Sequence, residues 1–257
     1  MINVHPIKAF NDNYIWILHD AAYAIAVDPG ISNGVIHFLQ TNNLKLAAIL
    51  VTHHHSDHIG GIDDLKKIFD VPVYGPRSEA IPNVTQQVSE GKEIVINELA
   101  TSLTVLDIPG HTLEHIAFYM NHPFHAIFCG DTLFASGCGR VFEGSYAQMY
   151  ASLRKLSQLP DETLIYCAHE YTINNIGFAK HVDPDNDELI EFESLCKELL
   201  LERRPTLPTH LALEKKINPF LRCEDPKIIH SAQNHSDQLT NDPVKIFSIL
   251  RQWKDNF

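Results

Sequence analysis

Four times in this chain a short apolar, β-prone run ends on a histidine or an aspartate. The run 46–51 leads into Thr52-His53-His54-His55-Ser56-Asp57-His58, and the run 102–108 into Pro109-Gly110-His111. The run 126–129 leads into Gly130-Asp131-Thr132, and the run 163–168 into His169-Glu170. Short apolar runs bounded by polar residues read as buried strands. Strand ends are where α/β proteins collect functional groups, because the sheet fixes the ends while the loops are free to vary. One such residue would mean little, but the shared position of all of them restricts the chain to a fold that presents His and Asp at strand ends.

The first of these loops carries the most chemistry. Residues 53–58 hold four imidazoles and a carboxylate, followed by Gly60-Gly61 and an amphipathic stretch, 62–69, that reads as a helix. Imidazole nitrogen and carboxylate oxygen suit zinc, iron or manganese. A loop at a strand end can aim His53 and His55 at one ion while Asp57 and His58 point at a second. His54 alternates out of phase with them and is expected to point away. A lone histidine is ordinarily a surface or hydrogen-bonded residue, but this density of donors is that of a metal-binding chain.

Composition narrows the class. At 257 residues the chain can hold one large domain or two smaller ones. It has no run of eighteen apolar residues, so no membrane span is expected. The start, Met1-Ile2-Asn3-Val4-His5-Pro6, lacks a charged region followed by an apolar core, so export is not expected. The five cysteines, 129, 138, 167, 196 and 223, form no C-x-x-C pair and fit free thiols in a reducing cytoplasm. The net charge is −12, with nine Lys and Arg against eighteen Asp and Glu in residues 1–172. Residues 173–257 carry eleven against fourteen. Neither part has the basic face that nucleic-acid binding requires, and no obligate protein partner is evident.

The chain divides after Tyr171-Thr172. Before it, strands alternate with turns and a few helices, among them 146–159 with Met149, Tyr150, Leu153 and Leu156 at helical spacing. After it, strand-like runs nearly disappear. Residues 187–203 carry an apolar stripe with acids between, and Asp242-Pro243 opens a final helix through Trp253. The expected class is an α/β sandwich of two sheets flanked by helices over residues 1–172, followed by an all-helical domain over 173–257.

His53-x-His55-x-Asp57-His58 with His111, Asp131 and His169 resembles the metal set of the metallo-β-lactamase superfamily. Further stretches resemble glyoxalase II, the hydroxyacylglutathione hydrolases. They are Phe10-x-Asp12-Asn13-Tyr14-Ile15-Trp16, Phe128-Cys129-Gly130-Asp131-Thr132-Leu133-Phe134, Gly137-Cys138-Gly139-Arg140, Cys167-Ala168-His169-Glu170-Tyr171-Thr172, Asn218-Pro219-Phe220-Leu221-Arg222 and Arg251-x-x-Lys254. This resemblance spans essentially the whole chain.

It implies an αββα core with C-terminal helices. His53, His55 and His111 would hold one ion, and Asp57, His58 and His169 a second, with Asp131 bridging. Asp57 and Asp131 would be the catalytic carboxylates. Zinc comes first as the metal, with iron and manganese as alternatives. Two ions about 3.5–4 Å apart can share one water and lower its pKa toward about 7, giving a nucleophile without a separate general base. The implied substrate is a glutathione thioester, S-(2-hydroxyacyl)glutathione and typically S-lactoylglutathione. Its hydrolysis gives glutathione and D-lactate in methylglyoxal detoxification.

The family's glutathione contacts match Arg140, Tyr171, Arg251 and Lys254. Some members have Lys at the position of Arg140 and Tyr at that of Phe142. Arg keeps the charge, while Phe142 lacks the hydroxyl. Alternatives on the same fold are a β-lactamase, a broad thioesterase and a mononuclear iron oxygenase acting on glutathione persulfide; a non-catalytic metal-binding scaffold is another. Asp28 either orients a ligand histidine or forms a turn, and the same choice applies to Asp12 and Asn13. His115 follows His111 by four, where it could share a helical face or hydrogen-bond to a ligand. His5, His19 and His235 read as solvated surface.

Overall fold

The computed structural model describes residues 1–257. Two compact units interleave along the chain. The first comprises Met1–Asp107, Glu114–Gly130 and Ala168–Glu170, and the second Ile108–Leu113, Asp131–Cys167 and Tyr171–Phe257.

In the first unit, β1 (Asn3–Ala9), β2 (Asn13–His19), β3 (Tyr23–Val27), β4 (Lys45–Leu50), β5 (Val73–Gly75) and β6 (Gln86–Gln87) form a six-stranded sheet in that order. The pairs β1·β2 and β2·β3 are antiparallel, whereas β3 to β6 run parallel. Parallel neighbours need crossovers. Helix α1 (Asn33–Thr41) joins β3 to β4, and the short α2 (Ser56–Ile59) with α3 (Ile62–Ile68) joins β4 to β5. Val35 and Leu39 of α1 and Ile62 and Leu65 of α3 share one core cluster with Ile15, Ile17, Ala24, Ala26 and Ile49 of the strands. Along β4, Leu46, Ala48, Ile49 and Leu50 are all buried, the near-continuous pattern of a parallel strand covered on both faces.

Four further strands, β7 (Glu93–Ile96), β8 (Thr101–Asp107), β9 (Ile116–Met120) and β10 (Ala126–Gly130), pair antiparallel in sequence order. Here β8 alternates between buried and partly exposed positions, as expected of an antiparallel strand with one face on the core.

The second unit is mainly helical. A two-stranded hairpin, β11 (Leu133–Phe134) with β12 (Gly137–Cys138), precedes α4 (Tyr146–Ser157) and β13 (Leu164–Cys167). Then follow α5 (Thr172–Val182), α6 (Asp187–Leu201), β14 (Thr209–His210, paired antiparallel with β13), α7 (Leu211–Ile217), α8 (Pro226–Ser236) and α9 (Pro243–Asp255). The helix starts are those the sequence marks. Ser145 and Gln148 close a capping box on α4. The Asp242 carboxylate accepts from the backbone of Val244 and Lys245, with Pro243 in the first turn of α9. Phe178 stacks on Phe220, which meets Phe247 edge-on, in a common aromatic core that seats α9.

The expected strands 46–51, 102–108, 126–129 and 163–168 are β4, β8, β10 and β13, displaced by at most a residue or two at their ends. The helix expected over 187–203 stops at Leu201, where Arg203 takes a positive φ of 59° and turns the chain. All five cysteines are free and buried. No helix is long and apolar enough to cross a membrane.

Candidate metal centre

Within the first unit, β4 delivers Thr52 and the histidine loop beside the end of β3, where Asp28 sits at φ 51°. The buried Asp28 carboxylate accepts the Thr52 backbone N–H at 2.8 Å on Oδ1. On Oδ2 it accepts the Thr52 hydroxyl at 2.7 Å and faces His58 Nδ1 at 3.1 Å. An ionised carboxylate can only accept, so the Thr52 hydroxyl points its proton at Asp28. That leaves a Thr52 lone pair for His53 Nδ1, 3.0 Å away. The network assigns a proton to Nδ1 of both His53 and His58 and leaves Nε2 as the candidate ligand atom. Asp28 is therefore not merely a turn residue; it fixes two candidate ligands at once.

The same device recurs on the other side of the loop. His169 Nδ1 faces Asp12 Oδ1 at 2.8 Å, and Asn13 Nδ2 donates to Asp57 Oδ2 at 2.8 Å. The Nε2 atoms of His58 and His169 lie 3.4 and 3.5 Å from Asp57 Oδ2. Ligand atoms of Asp57, His58 and His169 all lie within 4.8 Å of one another. His53 Nε2 faces His55 Nδ1 at 3.0 Å, an approach of two imidazole nitrogens that a proton or a cation must mediate. Asp12 and Asn13, left open by the sequence, orient His169 and Asp57.

Within the second unit, His111 Nε2 faces Asp131 Oδ2 at 3.4 Å, both residues being buried. Here the other ring nitrogen is held by a carbonyl, with Nδ1 donating to Arg140 O at 2.8 Å. The loop that brings this carbonyl round depends on Gly139, where a Cβ would run into the Asp131 carbonyl. In each unit the donors are imidazoles with one nitrogen engaged and carboxylates beside them, the chemistry suited to divalent metal ions.

The four expected substrate contacts lie in the second unit and differ in availability. Arg140 is 61% exposed, its Nε 3.6 Å from Asp255. Lys254 is partly buried with its amine 5.2 Å over the Phe178 ring. Burial, reinforced by the nearby Arg251 charge, pulls its pKa down to about 8. Tyr171 precedes α5 with its ring edge-on to Phe134. Arg251 is 3% exposed and already engaged, with Nη1 on Cys138 O at 2.7 Å and Nη2 on Asp255 at 2.9 Å. Phe142 is exposed, tilted against the His111 ring at 5.2 Å.

The bystander histidines fall as follows. His54 turns to Glu114 at 2.6 Å, out of phase with His53 and His55. Burial works against the Glu114 charge, but hydrogen bonds from its own backbone, Ser78 and His54 outweigh it and keep its pKa low. No helix joins His111 to His115, since the segment is a series of bends and turns. His115 instead stacks on the His53 ring at 4.6 Å and faces the Ile116 carbonyl. His5 and His235 are exposed, as expected, and His19 is partly buried, but each also has an aromatic neighbour. His5 and His19 pack on Phe38, and His235 stacks on Trp253 at 3.8 Å. Sequence reasoning also missed Glu214, a fully buried carboxyl of α7 raised to about 7 by burial. Its only sequence signal is a place four residues before Asn218.

Residues 9–169 match the metallo-β-lactamase superfamily, and residues 170–257 match the C-terminus of hydroxyacylglutathione hydrolase. The solved structure of ETHE1 from Myxococcus xanthus aligns over 98% of both chains, with TM-score 0.65 and 25% identity. A metallo-β-lactamase from Staphylococcus aureus aligns over 99% of this chain and 71% of its own, with TM-score 0.66 at 20% identity, a likeness of fold alone. The protein is thus a member of the metallo-β-lactamase superfamily, with the sandwich and the C-terminal helices expected of it. Within that superfamily it belongs to the hydroxyacylglutathione hydrolases. The hydroxyacylglutathione hydrolase of Nitrosomonas eutropha is 54% identical over all 257 residues of both chains. That of Shewanella halifaxensis is 48% identical over the full length of each.

Proposed function

We propose that this protein hydrolyses S-(2-hydroxyacyl)glutathione, typically S-lactoylglutathione, to glutathione and D-lactate in methylglyoxal detoxification in the cytoplasm. The observation that carries the proposal is full-length similarity to hydroxyacylglutathione hydrolases in a chain that keeps all seven donors. His53, His55 and His111 would hold one divalent ion and Asp57, His58 and His169 a second, with Asp131 serving both. Zinc is the first choice, with iron and manganese compatible with the same donors. Bound there, the ions supply an activated water near neutral pH and a Lewis acid for the thioester carbonyl.

The chain's own residues do the rest. Asp28, through Thr52 and directly, holds the Nδ1 protons of His53 and His58, so that Nε2 carries the lone pair that would ligate. Asp12 does the same for His169, and the Arg140 carbonyl for His111. Asp131 would supply the negative charge that offsets the bound cations. A thiolate leaves readily, so no strong general acid is required of the protein.

Recognition of the tripeptide falls to Arg140, Tyr171, Lys254 and Arg251. Arg140, Arg251 and Lys254 act as the cations for a terminal carboxylate, Arg140 being the most exposed of them. We assign the catalytic module to residues 1–172 and the helical substrate module to 173–257.

The test is turnover of S-lactoylglutathione, a small thioester lacking the tripeptide, glutathione persulfide and a β-lactam, with metal analysis of the same sample. The expected result is preferential cleavage of the glutathione thioester with two metals per chain. Preferential turnover of the lactam or the persulfide, or metal-free activity, would overturn the proposal.

A further inference from the structure

The segment from Asp131 to Arg140 closes both its ends on one imidazole. At its start Asp131 Oδ2 faces His111 Nε2 at 3.4 Å, and at its end the Arg140 carbonyl accepts from His111 Nδ1 at 2.8 Å. Just inside these ends the Gly139 N–H donates to Thr132 O at 3.1 Å. The hairpin then pairs Leu133 with Cys138 and Phe134 with Gly137. One register therefore sets both contacts of the ring, and a one-residue slip between the strands would turn their side chains to the opposite faces.

The turn does not supply that register. Ala135 and Ser136 join the strands, and only Ser136, the second of them, is left-handed, at φ 54°. A left-handed residue in second place alone is the type II pattern, which favours glycine or asparagine there and splays the strands of a two-residue hairpin. Serine in that conformation is strained, and strands two residues long are too short to hold it.

The restraint comes from α7 and the residue that follows it. Glu214 Oε2 accepts the Ser136 N–H at 2.8 Å and an Asn218 amide proton at 2.9 Å. Asn218 Nδ2 also donates to Gly137 O at 2.9 Å and Phe134 O at 3.2 Å, while its Oδ1 accepts the Phe220 N–H at 3.1 Å. Its amide orientation follows, because every acceptor lies on the nitrogen side. The two side chains thus form one clasp on both strands and the turn between them. Glu214, Asn218 and Ser136 are all fully buried, so solvent cannot stand in for a lost partner.

We propose that Glu214, clasped to Asn218, is a positioning residue of the metal centre: by holding the Ser136 turn it sets the register of the hairpin, and so the placing of Asp131 and the Arg140 carbonyl about His111. The proposal rests on the metal role assigned above. What Glu214 supplies is an acceptor rather than a charge. Burial raises its pKa to about 7, so near neutrality part of it is the neutral acid, which still accepts on its carbonyl oxygen. Glutamine should therefore serve in its place, and leucine, of similar bulk, should not.

The test compares Glu214→Leu, Glu214→Asp and Glu214→Gln. Three properties are measured: metal retained per chain under a fixed chelator challenge, kcat and KM on S-lactoylglutathione and on a small thioester lacking the tripeptide, and amide exchange at Ser136 and Gly139 in the metal-free protein. Glu214→Leu is expected to lose kcat on both thioesters by roughly tenfold to a hundredfold, the usual cost of disturbing what supports a metal ligand, with KM moved less. It should release metal faster, and exchange should quicken at Gly139 as well as at Ser136. Glu214→Asp sets the acceptor one methylene short of the Ser136 amide and should fall between, while Glu214→Gln should rescue all three properties.

If Glu214→Leu keeps metal and kcat within twofold and quickens exchange at Ser136 alone, Glu214 only stabilises the fold and the proposal fails. It fails too if Glu214→Gln falls as far as Glu214→Leu, since a charge would then be required. Should Glu214→Leu not fold, Glu214→Asp decides in its place by the same measurements. If the unaltered protein cleaves neither thioester, the functional assignment fails, and metal release with Gly139 exchange still decides whether Glu214 positions the ligands.

Discussion

Glu214 offers a quantitative check on the second unit. Its carboxyl is fully buried in α7, and Oε2 accepts from the Ser136 backbone and from Asn218 at 2.8 and 2.9 Å. Burial raises its pKa to about 7 from an ordinary 4.5, against hydrogen bonds from Asn218, Ser136 and Thr209 that pull the other way. In the unfolded chain the group ionises near its ordinary value, so between pH 4.5 and 7 the folded state binds the extra proton. Stability therefore falls as pH rises through that window and is level above it. A shift from 4.5 to about 7, at roughly 1.4 kcal/mol per unit, amounts to about 3 kcal/mol from this single group.

The perturbation is Glu214→Gln, which keeps the shape and an acceptor oxygen for Ser136 and Asn218 but cannot ionise. Urea unfolding of the two proteins at pH 4.5, 6, 7 and 8 gives the difference in stability, in which groups common to both cancel. The difference should move in favour of the glutamine variant by about 3 kcal/mol across the series, with most of the change complete by pH 7. A difference that stays flat would show that the folded carboxyl titrates at its ordinary value. A difference moving the other way would require a cation beside the carboxylate. Either result would refute the reasoning.

Three other outcomes follow from the site. Asp131→Asn keeps the shape and removes the charge, so metal analysis and assay should show both metal content and rate falling sharply. His54→Ala should leave metal stoichiometry near native, because His54 turns to Glu114, whereas His55→Ala should lower it; equal loss in both would place the loop in the wrong phase. Lys254 is cationic below about pH 8 and neutral above, so KM for a glutathione thioester should climb as pH passes that value. The climb should be absent in Lys254→Ala and for a thioester lacking the tripeptide.

The candidate ligands were legible because each follows an apolar run, and burial of such runs places their ends whatever the loops do. What held the ligands was not legible, for a physical reason. The partners of His169 and His58 are Asp12 and Asp28, 157 and 30 residues away, and a carboxylate in a polar turn carries no local signature of what it faces. The helix spacing of Arg251 and Lys254 was readable, but their opposite fates were not. Whether a guanidinium meets solvent or a carbonyl 113 residues earlier is settled by tertiary packing. His115 was left between two readings because a spacing of four from His111 also suits a helix, where the chain instead makes bends before β9. The short α2, from Ser56 to Ile59 inside the ligand loop, is too brief to show any periodicity.

The two units support their imidazoles differently, and the difference has consequences. In the first, the engaged nitrogens of His58 and His169 face carboxylates and that of His53 faces the Thr52 hydroxyl; a facing carboxylate raises the basicity of the ring as well as fixing it. Asp28 serves two rings through one side chain, so its own restraint matters as much as theirs. Thr52 clasps it on both oxygens, through backbone N–H and hydroxyl. Gly130, at φ 48°, leaves room for the Thr52 hydroxyl and the His115 ring where any Cβ would collide. In the second unit, His111 faces a neutral carbonyl, whose hold is only as firm as the loop carrying it. That loop has only a two-residue-per-strand hairpin of its own, too little to be rigid unaided, and side chains of later helices supply the missing restraint. A carboxylate-backed ligand can be fixed locally. A carbonyl-backed one draws on side chains of the C-terminal helices, so under the proposed assignment those helices would serve the metal centre as well as the substrate.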